Sequence, residues 1–524
     1  MNRTLIAIAG SVFLLIGLLF VLASGSRGSN TGRNSTSGTA NSLVLFCAAS
    51  NRAVMESIRV DYEQEFGTTI QIQYGPSQTL LSSIEVSGTG DLYLPADESY
   101  IAIGIKKSLI AETLPLATMR AVVAVPRGNP KAIKTFDDLL RSDVRLVQAS
   151  PEMASIGKVV KKSLQASGKW DQLAKATVAF RTNVNDVAND LVIGAADAGL
   201  VYDAVLSSYK DLEAVELDEL STVVSNVSLG IVASTKQPQA ALHFARYVAA
   251  RDRGLLHYEK HGFFIKKGDV WEETPELTIF AGSMLRPAID ATVKAFEERE
   301  GIRVSRIYNG CGILVAQMKT GQHPDAYFAC DKEFMKQVPD LFPESVDVSQ
   351  NELVILVQKG NPKNISSLQD LGRKGLRVGV GHEKQCAMGW LTQNTFREGG
   401  VQKEVMANVT VQTPTGDMLV NQMQTGSLDA AVAYLSNAAG AGEFLDAIQI
   451  QGIECSVATQ PLAIAVDSPH AQTASRLFQR LCSPESQASF EAEGFRWKID
   501  SKPKDDSTVG DSAIGDSAIG NDEQ

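Results

Sequence analysis

LVLFCAASNRAVMESIRVDYEQEFG (Leu43–Gly67) and LTIFAGSMLRPAIDATVKAFEEREG (Leu277–Gly301) are one passage written twice. Each opens with a continuous apolar run, as expected of a strand buried on both faces. In the first copy Val54, Ile58, Tyr62 and Phe66 then stand four apart, a helix stripe that stops before Gly67. The correspondence continues along the chain. GDLYLPADESY from Gly90 matches PDAYFACDKEF from Pro324, and PRGNPKAIKTFDDLL from Pro126 matches QKGNPKNISSLQDLG from Gln358. AADAGLVYDAVL from Ala195 matches SLDAAVAYLSNA from Ser427, and YEKHGFFIK from Tyr258 matches FEAEGFRWK from Phe490. The offset holds between 232 and 234 throughout. A period of this length means two whole modules, not a solenoid of short repeats.

Within each module strands and helices alternate. TIQIQYG is strand-like, and Leu80, Leu81 and Ile84 suit the helix after it. AVVAVP and LVILVQ are buried strands that enter a GNPK turn in both copies, followed by short helices at FDDLL and LQDLG. VRLVQA and LRVGVG are further strands, each followed by a loop and a long helix. This order predicts an α/β fold with a mostly parallel sheet and helices on both faces. Small ligands bind such sheets at the carboxyl ends of the strands.

The 524 residues are 44% hydrophobic and 21% charged, the proportions of a soluble globular protein. The net charge of −11 argues against nucleic acid as a partner, because phosphate binding needs a basic surface. Six cysteines without a CxxC do not make a disulfide scaffold, and six histidines do not suggest a multi-histidine metal centre. Leu5 to Ala23 is an uncharged apolar run flanked by Arg3 and Arg27, readable as an uncleaved membrane anchor or as a signal peptide. The predicted organisation is a signal or anchor helix over 1–23, a flexible Gly/Ser/Asn/Thr linker over 24–42, and modules over 43–268 and 276–499. An acidic disordered tail over 500–524 follows. The bulk of the chain is expected outside the cytoplasm, in the periplasm, tethered to the inner membrane if the helix stays.

FCAAS with its helix, YGPSQTLLSSIE, the GDLYLPAD block, the GNP turn and AGLVY resemble periplasmic molybdate/tungstate-binding proteins. These are type II periplasmic-binding proteins that feed ABC importers. The resemblance runs from Leu43 to about Lys266 and again from Leu277 to about Lys498. It implies two α/β lobes per module, joined by two crossover strands, with ligand between the lobes and closure about a hinge. The second lobe would span roughly Arg120 to Val205 in one module and Glu352 to Leu435 in the other.

A tetrahedral oxyanion can be held without a counter-ion by backbone N–H groups at helix N-termini, with hydroxyls completing the shell. Ser50 and Ser77 each follow a strand and open a helix, and both match the family's anion-binding serines. The plainer alternative is an ordinary helix cap. Pro76 removes one backbone donor beside Ser77. SPEMASIG (Ser150 to Gly157) occupies the place of the family's third anion loop, with Ile156 offering a backbone N–H and Ser155 a hydroxyl. Val184 lies 18 residues before Tyr202, the family's spacing for a further backbone donor and a tyrosine hydroxyl. The alternative for Tyr202 is a core tyrosine.

The second module departs from this pattern. Ser283 keeps a hydroxyl at the first anion position, Cys311 replaces the second serine, and Cys330 stands where the first module has Ala96. Cys386 lies in the third loop, Tyr434 matches Tyr202, and the counterpart of Val184 falls near Gly416. Three readings of these cysteines remain: small buried residues with a disulfide, thiol contact to a soft ligand, or a thiolate/imidazole site of Cys311, Cys386 and His382. Cys455 and Cys482 are expected in the other lobe, where they could pair, and Cys47 in a core strand. Asp97 and Asp331 read as helix N-caps rather than as acid/base groups. No GxSxG, P-loop or HExxH occurs, so no enzyme is expected and no cofactor. The favoured function is a solute receptor that presents an oxyanion, molybdate or tungstate first, to an ABC permease. Alternatives are a membrane-anchored sensor or scaffold, and an enzyme using Cys311 or Cys386 as nucleophile.

Overall fold

The computed structural model describes residues 42–499. The expected N-terminal helix, the linker up to Asn41 and the acidic tail lie outside the described residues. Among the described residues no helix is long and apolar enough to cross a membrane.

In the first module β1 (Ser42–Ala48), β2 (Thr69–Gly75) and β3 (Leu92–Leu94) run parallel in the order β2-β1-β3. The long strand β4 (Ile110–Pro126) leads into a second parallel group of β5 (Leu146–Ala149), β6 (Thr177–Arg181) and β7 (Ala198–Tyr202), ordered β7-β5-β6. β8 (Leu212–Val215) lies antiparallel on β4, and β9 (Val224–Val232) returns antiparallel between β3 and β4. β10 (Phe264–Ile265) closes the module against β4. β4 serves both lobes. Residues from Ile110 to Arg120 pair with β9, and Ala121 to Pro126 pair with β7 or β8.

The second module repeats this plan. Its strands are β11 (Glu276–Gly282), β12 (Arg303–Asn309), β13 (Ala326–Phe328), β14 (Val346–Gln358), β15 (Val378–Gly381), β16 (Val409–Thr413), β17 (Ala430–Tyr434), β18 (Leu445–Gln449), β19 (Val457–Ile464) and β20 (Arg496–Trp497). The order β12-β11-β13-β19-β14-β17-β15-β16 matches β2-β1-β3-β9-β4-β7-β5-β6 strand for strand. Two expectations are corrected. The sheets are mixed, because the crossover strands run against their neighbours and only the flanking groups are parallel. The second lobes also extend past Val205 and Leu435 to include β8 and β18, which find their partners on the crossover strands.

The helices that bear on function are α1 (Arg52–Phe66), α2 (Ser77–Ser87), α3 (Ser155–Ala166), α4 (Val184–Val192), α5 (Pro238–Ala249), α6 (Arg286–Glu300), α7 (Cys311–Lys319), α8 (Ala387–Glu398), α9 (Gly416–Gln424) and α10 (Ala471–Leu481). The apolar stripe of α1 buries Val54, Met55, Ile58 and Tyr62. Both α1 and its counterpart α6 stop at a left-handed glycine, Gly67 and Gly301, where a side chain would be strained.

The modules meet through their first lobes. Glu300, the last residue of α6, is 1% exposed and lies between Arg246 of α5 and Arg476 of α10, themselves nearly buried. Arg476 binds its carboxylate twice, at 2.6 and 3.0 Å, and Arg246 donates to its backbone oxygen at 2.6 Å and to its side chain at 3.3 Å. Burial would raise the Glu300 pKa, but Arg476 and Arg246 hold it below the ordinary value. Asp269, between the modules, accepts from the backbone N–H groups of Gln472 and Thr473 at 2.8 and 2.9 Å and so caps α10. Arg299 adds an ion pair to Glu112 of β4.

A buried ion pair contributes little net stability against an apolar replacement, but removing one partner strands the other charge. Glu300→Ala leaves two guanidinium groups without a carboxylate, at an expected cost of about 3–5 kcal/mol, read by chemical denaturation at pH 7. Since the Glu300 pKa is depressed on folding, its contribution is present above the ordinary glutamate range. It fades as pH falls through the folded value, so the gap between wild type and Glu300→Ala should narrow in acid.

Candidate functional site

Four helix starts converge on the cleft of the first module. β1 ends at Ala48 and a single 3-10 turn, Ala49–Asn51, carries Ser50 into α1. β2 ends at Gly75, and Pro76 leads into α2, whose first residue is Ser77. From the other lobe α3 starts at Ser155 and α4 at Val184. The first-turn N–H groups of a helix have no carbonyl within it, so each start presents the positive end of the helix dipole and donors that need outside acceptors. At α4 the Asn183 amide oxygen already accepts from the Asn185 and Asp186 N–H groups at 3.0 and 3.1 Å. Between them lies a narrow cleft with about 20 Å3 of free volume, partly open to solvent. Ser50, Ser77, Ser155, Ile156, Val184 and Tyr202 all line it. The other lining residues are small, apolar or amide-bearing, and none is charged.

The hydroxyls differ in their engagement. Ser50 Oγ is buried and has no hydrogen-bond partner. Ser77 Oγ accepts from the Ala96 N–H at 3.1 Å and meets Ser155 Oγ of the opposite lobe at 2.9 Å. Tyr202 is 1% exposed, and its hydroxyl pairs with Ser225 Oγ at 2.9 Å. Its partner is thus a serine hydroxyl on a crossover strand, and burial pushes its phenol well above the ordinary value. Two more contacts join the lobes. Asn185 Nδ2 donates to the Ala49 carbonyl at 3.0 Å, and Lys158 donates to Ser99 Oγ at 3.2 Å while lying over the Tyr100 ring. Neither has a signal in the sequence, because each depends on which surfaces the crossover strands bring face to face.

In the second module the same helix starts are covered by the protein itself. Ser283 follows β11, Cys311 opens α7, Cys386 is the N-cap of α8, Gly416 opens α9 and Tyr434 ends β17. The Gly312 N–H in the first turn of α7 donates to the Gln385 carbonyl of the opposite lobe at 3.1 Å. A Cβ at Gly310 would lie 2.3 Å from the Gln385 oxygen, and one at Gly312 would lie 2.0 Å from the Lys384 oxygen. The two glycines therefore permit backbone of the second lobe to press onto the helix start. At α9 the Asn437 amide takes the space beside Gly416, 2.1 Å from where a Cβ would stand. α8 begins with Ala387 where α3 begins with Ser155, so this copy also lacks that hydroxyl. Tyr434 Oη is buried without a partner.

The cysteines divide. Cys311 Sγ lies 2.8 Å from Cys330 Sγ. Burial pushes the Cys386 thiol up to about 12, which makes it a poor nucleophile. His382 turns its Nδ1 to the Lys384 N–H at 3.3 Å. Among the described residues no three His, Cys, Asp or Glu side chains group as metal ligands. Cys455 and Cys482 do not share a lobe as expected: Cys455 contacts Thr395 of α8, whereas Cys482 ends α10 in the first lobe. Cys47 is a buried residue of β1. Asp97 and Asp331 are N-caps, accepting from the N–H groups of Ser99 at 3.0 Å and Glu333 at 2.8 Å. Burial pushes Asp331 up to about 6.

The molybdate-binding protein ModA of Mycobacterium bovis is 28% identical to this chain over 256 residues, covering 48% of the chain and 95% of that protein. A putative binding protein of Haemophilus influenzae is 24% identical over 231 residues, covering 43% of the chain and 91% of that protein. Among solved structures, the substrate-binding domain of a putative molybdenum ABC transporter from Clostridium difficile shares 21% identity. It covers 43% of this chain and 99% of its own, with a TM-score of 0.35. The periplasmic molybdate-binding protein of Azotobacter vinelandii shares 16% identity, with 43% and 100% covered and a TM-score of 0.38. The pattern of one family, described as bacterial extracellular solute-binding protein, matches residues 43–264 and again 277–496. With most of its length covered by these two matches, the chain belongs to the bacterial extracellular solute-binding proteins and carries the domain twice in tandem.

Proposed function

We propose that the first module captures a small tetrahedral oxyanion, molybdate or tungstate, between its lobes and presents it to an ABC permease. Membership of an extracellular solute-binding family sets this work outside the cytoplasm. The observation that carries the reading is Ser50 Oγ, a buried hydroxyl with no partner, at the start of a helix in an uncharged cleft. Buried hydroxyls almost always have partners, so one without a partner beside free first-turn N–H groups is suited to a bound acceptor. A charged pocket would discriminate poorly among anions. A shell of dipoles and hydroxyls selects by size and by the number of accepting oxygens. That relatives over this length carry the name molybdate-binding supports the choice of ligand.

The second module is proposed as a copy that does not capture this ligand. Its helix starts already have acceptors or covers, Gln385 O on α7 and Asn437 on α9. Binding there would require that the lobes separate and give up these contacts.

Titration of the whole chain with molybdate or tungstate by calorimetry should give one site per chain, not two. Ligand at one hundred times its dissociation constant should stabilise the module that binds it by about 2.7 kcal/mol in a thermal scan. No heat and no shift with molybdate, tungstate, sulfate or phosphate would refute the reading.

Ser50→Ala removes a hydrogen bond to an anion and should weaken binding roughly ten- to a hundred-fold, with little change in the stability of the free protein. Ser283→Ala, the equivalent change in the second module, should leave affinity unaltered. Equal losses from both would show that the second cleft also binds.

A further inference from the structure

We propose that Cys311 and Cys330 form a disulfide bond in the second module, at the position where the first module keeps Ser77. The backbone at the two sites is the same. In the first module Ser77 Oγ accepts from the Ala96 N–H at 3.1 Å, and in the second Cys311 Sγ accepts from the Cys330 N–H at 3.1 Å. The side chains differ as a set. Ala48, Ser77 and Ala96 have become Gly282, Cys311 and Cys330. A Cβ at Gly282 would lie 2.0 Å from Cys330 Sγ and 3.2 Å from Cys311 Sγ. The methyl that Ala48 carries is thus missing where the second sulfur needs the space. The two sulfur atoms already lie 2.8 Å apart, and bonding distance requires a further approach of roughly 0.8 Å.

The bond forms when both thiols lose their protons and together give two electrons to an oxidant, a protein disulfide of an oxidising compartment. One thiolate attacks the oxidant's S–S bond, the second displaces it from the mixed disulfide, and the oxidant leaves as a dithiol. Both thiols are buried once the module has folded, so oxidation belongs to the folding chain and the finished bond is shielded from reductants. It ties the first turn of α7 to Cys330, two residues past the end of β13, and removes the group that would replace the Ser77 hydroxyl. Cys386 remains a thiol. The proposal rests on the location outside the cytoplasm and not on the identity of the ligand, so either can fail without the other.

The test is to export the full chain to an oxidising compartment, purify it without reductant and denature it in iodoacetamide. Six cysteines less one bonded pair should take up four labels, and a peptide cross-linked between Cys311 and Cys330 should appear. Reductant should release the remaining two sites in denaturant but not in native buffer. Cys330→Ala should take up five labels, since Cys311 is freed, and should melt roughly 5–10 °C lower. Labelling occurs in denaturant, so the count does not depend on how well the variant folds. Six labels without reductant, or a cross-link between any other pair, overturns the proposal.

Discussion

Helix N-termini that point into an interlobe cleft impose the constraint on which both modules depend. The first-turn N–H groups cannot bond within their own helices, and burying them without acceptors is costly. These groups therefore need acceptors, either from the protein or from a bound molecule. The first leaves α2, α3 and α4 facing a neutral cleft lined by serines, which suits an acceptor from outside. The second brings the Gln385 carbonyl across to α7 as an acceptor and fills the space beside Gly416 of α9 with the Asn437 amide. One scaffold thus reaches two answers, and the difference lies in a few side chains at equivalent positions. Gly310 stands in place of Pro76, Cys311 in place of Ser77 and Ala387 in place of Ser155.

The way the modules are joined leaves those answers independent. Contacts between modules run through α5, α6 and α10 and through Glu112 of β4, all in the first lobes. Glu300 with its two arginines is costly to desolvate and more costly to break, so it defines one relative placement of these lobes. The second lobes hang from the crossover strands β4, β9, β14 and β19 and take no part in that junction. A movement of either second lobe about its crossover strands would leave this interface intact.

Much of the candidate site was legible in the sequence. The regular offset between copies located Ser50, Ser77, Tyr202 and their counterparts, because a strand followed by a helix start places a residue at the sheet's carboxyl edge whatever surrounds it. The caps at Asp97 and Asp331 were legible for the same reason, being local. What was not legible is the partner of each group. Tyr202 pairs with Ser225, Ser77 with Ser155, and Asn185 with the Ala49 carbonyl, all far apart in the chain. Cys455 and Cys482 were expected in one lobe, but β19 and the return to the first lobe lie between them.

The sequence by itself determined the duplication, the alternation of strand and helix, and the points at which polar side chains enter the sheet's edge. These follow from local periodicity and from a repeat that keeps register. Tertiary structure alone decided which helix start meets a carbonyl of the opposite lobe, which serine keeps a free hydroxyl, and how Arg246, Glu300 and Arg476 meet. Those outcomes are set by contacts between segments far apart in the chain, whose approach depends on space as small as one methyl group, the difference between Ala48 and Gly282.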